Sequence, residues 1–305
     1  MQVLLVGCGS ISIQELKGLT THPGVHVAAL VDIRPENAQA RQAEFGLTDA
    51  EISTDLDAML AKHRPDVVVD CTLPATHSGI TQKAIAAGAH VLGQKPMADT
   101  LRAAREAVRA AHASDRTYGV IQTMRFGAVG RALRDFVETG AIGEVTTVDH
   151  RFFNGMHFPE GDFRHTMEHV LILDMAIHSF DLARFITGRD ATSALCREWN
   201  PAGSWYERDA AAFACFTMDD GVRFVYHGSW ASEGPTAADW RIVGTKGSVV
   251  AAGGTIRAER VVRPGGFHSE VEAIEVPIPE LSEQEKAHVG AVHDFINAIR
   301  DGRQP

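Results

Sequence analysis

Val3-Leu4-Leu5-Val6-Gly7-Cys8-Gly9-Ser10 runs a short apolar segment straight into a glycine-rich turn. A continuous apolar run of this length reads as a buried parallel strand. Gly7 and Gly9 fit the first two positions of a G-x-G-x-x-G loop. One permits the tight turn, and the other lets the backbone approach a pyrophosphate at a helix N-terminus. Ser10 and Ile11 complete the loop, and Ser12 takes the third position, where glycine or alanine is usual. Serine is still small enough for close helix–strand packing. A tight turn without a ligand explains the same residues, so the loop needs support from elsewhere.

Asp32 supplies some. It ends the run Ala28-Ala29-Leu30-Val31-Asp32, about 20 residues beyond the glycines, where a carboxylate can bind both ribose hydroxyls of a dinucleotide. A carboxylate there repels a 2′-phosphate, which favours NAD and leaves NADP as the alternative. Arg34 could offset that repulsion or stack on the adenine. The competing role for Asp32 is a helix N-cap. Thr72-Leu73-Pro74-Ala75-Thr76-His77 follows another apolar run, and such a loop passes beside the ribose and pyrophosphate. His77 can belong to that contact, although a first-turn helix residue with no special duty is the plainer account. Gln94-Lys95-Pro96 follows the strand-like His90-Val91-Leu92. At the carboxyl end of a parallel strand a lysine stands over a ligand crevice.

The rhythm along the chain points to a doubly wound α/β sheet. Apolar runs at Val3–Val6, Val25–Val31, Val67–Cys71, His90–Leu92 and Tyr118–Ile121 alternate with helical stretches at 35–45, 55–63, 77–87 and 100–113. Pro35 suits a first helical turn, and Gly46 and Gly88 suit helix ends. After Ile121 the pattern changes to α+β. A helix over 128–139 and a strand over 144–153 precede a helix covering much of 166–187. Strands follow at 211–217, 222–230, 239–243, 248–252, 256–262 and 270–276, with turns at Asp219-Asp220-Gly221 and Thr245-Lys246-Gly247. That predicts an open, mostly antiparallel sheet. The expected domains are 1–121 for the dinucleotide and 122–305 for substrate and oligomerisation, with a final helix over 283–300.

Composition narrows the class. The chain has 305 residues, 45% hydrophobic and 22% charged, which suits two ordinary soluble domains. Its net charge of −10 argues against nucleic acid as a partner. No apolar run approaches the roughly 18–20 residues of a membrane span, and the apolar start is too short for a signal peptide. Cys8, Cys71, Cys196 and Cys215 are scattered without a Cys-x-x-Cys pair, as in a reduced cytoplasmic protein.

The chemistry concentrates in Asp174-Met175-Ala176-Ile177-His178-Ser179-Phe180-Asp181. On a helix, Asp174, His178 and Asp181 share one face. A polar row among apolar neighbours needs partners or a task. Hydride removal from an alcohol needs a base for the hydroxyl proton, and histidine suits neutral pH. Lys95 could stabilise the developing alkoxide. An internally satisfied core network is the competing account. Arg125, Asn154, Arg164 and His165 are the remaining pocket candidates, with an ion pair as the alternative role for Arg164. His165 and His169 have the spacing of a helical metal pair, but there is no His-Glu-x-x-His motif, and hydride transfer to NAD needs no metal.

These residues resemble the Gfo/Idh/MocA oxidoreductases, which include glucose–fructose oxidoreductase and inositol dehydrogenase. The likeness spans Gly7-Cys8-Gly9, Asp32, the 66–98 segment, Gly140-Ala141-Ile142-Gly143-Glu144-Val145 and Asp174-x-x-x-His178-x-x-Asp181. It implies a Rossmann domain followed by an α/β domain whose open sheet often forms the subunit interface, hence a homodimer or homotetramer. It further implies NAD(P)-dependent oxidation of a sugar, cyclitol or related polyol. Lys95 carries over as the catalytic lysine, and Asp174 and His178 as substrate-binding and acid/base positions. The family's Glu-Lys-Pro appears here as Gln94-Lys95-Pro96, which changes the charge near the nicotinamide ribose. Relatives also continue into another helix that packs on the first domain, which the resemblance implies is missing here. NAD-dependent glycoside hydrolysis, and a NAD-sensing regulator without chemistry, are the rival functions.

Overall fold

The early apolar runs assemble into one six-stranded parallel sheet. In the computed structural model, which describes residues 1–305, its elements are β1 (Gln2–Val6), α1 (Ser12–Thr21), β2 (His26–Val31), α2 (Pro35–Phe45), β3 (Glu51–Ser53), α3 (Leu56–His63), β4 (Val67–Asp70), α4 (Pro74–Ala86), β5 (His90–Gly93), α5 (Leu101–His112) and β6 (Tyr118–Val120). Strand order is β3-β2-β1-β4-β5-β6. The direction of winding reverses between β1 and β4, and such a switch point opens a crevice at the strands' carboxyl ends. Val3, Leu4, Leu5, Val67, Val68 and Val69 are fully buried, as strands covered on both faces require. The local signals behave as their chemistry demands. Pro35 opens α2, Gly46 ends it at φ 64°, and the side chains of Asp55 and Thr100 cap α3 and α5.

The second half begins with α6 (Ala128–Glu138) and β7 (Val145–Phe153). A π-helical stretch, Leu171–Ala176, then runs into α7 (Ile177–Thr187). The strands β8 (Ala191–Trp199), β9 (Ala211–Met218), β10 (Arg223–Ser229), β11 (Ala237–Gly244), β12 (Gly247–Ala252), β13 (Thr255–Arg263) and β14 (Glu270–Ile274) complete an eight-stranded sheet. Its order is β14-β13-β12-β11-β7-β10-β9-β8, antiparallel except where β7 meets β10. Alternation sorts the side chains. His150, Phe216, Phe224, Tyr226 and Trp240 form an aromatic layer, and Phe180 of α7 packs on Phe216, Phe224 and Tyr226. Leu195, Trp199 and Phe213 remain exposed.

The last helix corrects the expected domain division. α8 (Ala287–Asp301) belongs with the first unit, which comprises Met1–Phe126 and Leu281–Pro305, while Gly127–Glu280 forms the second. Ala291, Val292, Phe295 and Ile296 share a hydrophobic core with Val3, Leu5, Leu16 and Leu19. Gly18 makes the approach possible: a Cβ there would lie 2.7 Å from the Val292 Cβ. The expected final helix, α8, thus packs on the first unit. Two strands also escaped the sequence reading, β3 and β8.

Candidate functional site

The glycine loop is shaped by close backbone contact. Gly7 has φ +85°, and a Cβ on it would lie 2.7 Å from the Cys71 carbonyl carbon. Only glycine lets this turn press against the end of β4. At Gly9 a Cβ would meet nothing within 4 Å, so that side of the loop is open. α1 begins just beyond, with Ile11 at its N-cap and no side-chain cap on its first N–H groups. Open backbone before an uncapped helix start suits a pyrophosphate. Ser12 is buried, and its hydroxyl donates to the Gly9 carbonyl at 2.6 Å. The serine in place of a third glycine thus braces the loop.

Asp32 ties this loop to the end of β2. Its Oδ2 accepts the Cys8 N–H at 2.7 Å, and its Oδ1 accepts the Arg34 N–H at 2.8 Å. Arg34, not Asp32, occupies the N-cap of α2. Oδ1 also accepts from Asn37 Nδ2 at 3.3 Å, while Oδ2 keeps a further lone pair, so a ribose hydroxyl remains within the carboxylate's capacity. The loop and Asp32 therefore fit a dinucleotide.

The β4 and β5 ends are cross-linked. The Asp70 Oδ1 accepts from the Thr72 N–H at 3.0 Å and from its hydroxyl at 2.6 Å. Burial pushes the Asp70 carboxyl above its ordinary value. Leu73 is exposed at the N-cap of α4, and Pro74 begins that helix. His77 is buried, with Nδ1 2.8 Å from the Pro96 carbonyl and Nε2 3.0 Å from the Thr72 carbonyl. Both ring nitrogens are engaged by backbone, so His77 joins two loops. Lys95 is half-buried and Pro96 buried, joined by a cis peptide bond. Gln94 is buried and turns its side chain to Glu15. Arg125 lies in the short 3-10 turn Thr123–Phe126 of the same unit.

The second unit holds the remaining candidates. Asp174 falls in the π-helical stretch, a distortion frequent at functional positions, and is only 8% exposed. His178 follows in the first turn of α7 and is 9% exposed. Arg164 donates to Asp174 at 2.5 Å, and its guanidinium lies over Phe158 and Phe163, 4.6 and 4.5 Å from the ring centroids. The ion-pair role for Arg164 is thus realised, inside this unit. Asp181 lies 3.6 Å from Arg184. The Asn154 N–H donates to the Ser229 carbonyl, just past the end of β7. His165 turns Nε2 to the Phe158 and Pro159 carbonyls, each at 3.2 Å, which ties this loop together. His169 pairs with Glu198 instead of joining His165. Glu15, Asp70 and His288 were missed in the sequence. The spacing of Ser12, Glu15, Leu16 and Leu19, all fully buried on α1, was the available signal for Glu15.

Comparison with known proteins agrees with both units. Residues 1–122 match the family described as "Oxidoreductase family, NAD-binding Rossmann fold", and residues 131–250 match the "GFO/IDH/MocA C-terminal domain". An inositol 2-dehydrogenase of Burkholderia ambifaria is 32% identical over 64% of this chain and 56% of its own length. A D-apiose dehydrogenase of Paraburkholderia graminis is 31% identical over 75% of this chain and 60% of its own. The matched region thus spans less than two thirds of either relative. An Agrobacterium radiobacter oxidoreductase, solved with NAD+, L-tartaric acid and magnesium, superimposes with TM-score 0.84 over 100% of this chain and 90% of that one. At 22% identity, that likeness speaks to the fold. No helix is long and apolar enough to cross a membrane, and all four cysteines are free.

Proposed function

The chain belongs to the Gfo/Idh/MocA family of oxidoreductases, and from that premise we propose that it transfers a hydride between NAD and a secondary alcohol of a sugar, cyclitol or related polyol. The observation that carries the reading is the cradle of open backbone at Gly9, ahead of an uncapped α1 and braced by Asp32. Gly7, Gly9, Ser10, Ile11 and Ser12 would hold the pyrophosphate, and Asp32 the adenosine ribose. Asp32 also favours NAD over NADP, because a 2′-phosphate would face its carboxylate. The dehydrogenases named among the relatives point to sugars and cyclitols.

When bound, NAD supplies the hydride acceptor. His178 takes the hydroxyl proton, and the Lys95 ammonium stabilises the alkoxide as it forms. Asp174, its charge countered by Arg164, orients the substrate hydroxyls. Asn154 and Arg125 contribute further polar contacts. The exposed Leu195, Trp199 and Phe213 on one sheet support pairing of copies into a homodimer or homotetramer. Four free thiols support a reducing, cytoplasmic setting.

A panel of sugars and cyclitols with NAD and with NADP, followed at the NADH absorbance, tests the activity. Net NADH from a polyol is the expected result. Substrate cleavage without net NADH would replace this reading with glycoside hydrolysis, and NAD binding without turnover would replace it with a sensor. Lys95→Ala should lower turnover at least about 100-fold while NAD affinity stays within about threefold. Unchanged turnover would remove Lys95 from the mechanism.

A further inference from the structure

Glu15 lies in the first turn of α1 with none of its surface exposed. Its Oε1 accepts two hydrogen bonds, from Gln94 Nε2 at 2.6 Å and from His288 Nδ1 at 2.7 Å. Its Oε2 is buried without a hydrogen-bond partner. Burying a carboxylate is costly, and such groups persist where their contacts matter to something else. Three segments distant in sequence therefore meet on one oxygen: the start of α1, the residue before Lys95, and the start of α8.

This geometry dictates what residue 94 can be. A carboxylate only accepts, so residue 94 must present a donor, as the Gln94 amide does. A glutamate at 94 would bring two carboxylates to the same contact, where both cannot stay ionised. The main chain of Gln94 is held as well, its N–H donating to the Asp70 carbonyl at 2.8 Å. Lys95 is the next residue.

We propose that Glu15 acts as a positioning residue for Gln94 and, through it, for Lys95. The charge-assisted contact ties the Gln94 amide to α1. His288 holds the same carboxylate oxygen, so α8 takes part in setting the loop that bears Lys95. The functional half of this inference rests on the role given to Lys95 above.

A reciprocal exchange tests it. Gln94→Glu, Glu15→Gln and the double variant E15Q/Q94E are compared with the full wild-type chain by melting temperature, by NAD titration and by polyol-dependent NADH formation at pH 6 and pH 8. Q94E should lose roughly tenfold in turnover relative to wild type at pH 8 and regain part of it at pH 6, where the two carboxylates can share a proton, while NAD affinity stays within about threefold. E15Q should lose less. E15Q/Q94E should return to within about threefold of wild type, without the pH dependence, because the donor and acceptor are merely exchanged. Additive losses in the double variant overturn the proposal. If Q94E does not fold, a folded double variant supports the pair and an unfolded one refutes it. Wild-type protein that binds no NAD would sink the functional reading, leaving the melting cycle to decide the pair. NAD binding with additive losses would sink the pair alone.

Discussion

The imidazole of His150 lies flat on the indole of Trp240, with ring centroids 3.9 Å apart and planes 13° from parallel. The two residues are register partners on β7 and β11. His150 Nδ1 donates to the Asp239 carbonyl at 3.0 Å, and burial pulls its pKa from 6.5 down to about 4. Between those values the folded protein binds fewer protons than the unfolded chain, so stability falls as pH drops through that window. His150→Phe keeps the stacking and removes the titration. Its loss of stability between pH 7 and pH 4.5 should be smaller than that of wild type by about 2–3 kcal/mol. Urea unfolding at the two pH values measures the difference, and equal losses would acquit His150.

Asp70 behaves with the opposite sign. Burial raises its carboxyl above the ordinary 3.8, so the folded state binds more protons than the unfolded chain just above that value. Its contribution is present at low pH and is lost as pH rises through the folded value. Asp70→Asn keeps an acceptor for the Thr72 N–H and hydroxyl and cannot ionise. The variant should melt higher than wild type at pH 8, and the advantage should shrink toward pH 4. A melting temperature at pH 8 no higher than wild type would contradict this.

Gly18 has no room for a methyl group. Alanine would place its Cβ 2.7 Å from the Val292 Cβ and force α1 away from α8. Overpacking of this kind costs about 1–3 kcal/mol. Val292→Ala in the same chain should return part of that loss, a coupling that a double-mutant cycle in denaturant reads directly.

Asparagine is not a conservative replacement for Asp32. Both carboxylate oxygens accept backbone N–H groups, from Cys8 and Arg34, and an amide must turn its own NH2 toward one of them. Asp32→Asn should therefore cost about 1–3 kcal/mol in stability. NAD affinity should fall at the same time while NADP loses less, since the repelling charge is gone. Parallel titrations with the two cofactors check the second effect.

The parallel sheet was legible because its strands are buried on both faces and read as plain apolar runs between capped helices. β8 was not, since Ala191–Trp199 is exposed along nearly its whole length and shows no alternation. β3, at three residues, is too short to announce itself. The place of α8 was hidden for a different reason. Its apolar stripe says that it packs on something, and the partner, α1, lies at the other end of the chain. Locally, Gly7, Gly9 and Asp32 occupy the loop and strand end that their spacing implied. His77 and His165 carry the right chemistry for a pocket, yet their ring nitrogens are turned to backbone carbonyls, which only the folded chain reveals. Glu15 looked like an ordinary helical glutamate.

Because α8 fills the core beneath β1, the nucleotide unit is interrupted by the whole of its neighbour. A ribosome that has finished β6 has delivered the sheet but not Val292 or Phe295, the side chains that seal it. At about 5–20 residues per second, the nascent sheet waits several seconds or longer for that plug. During that interval the groove meant for α8 lies open to chaperones and to other nascent chains. A release or stall before residue 287 would strand the first half with its seam unclosed.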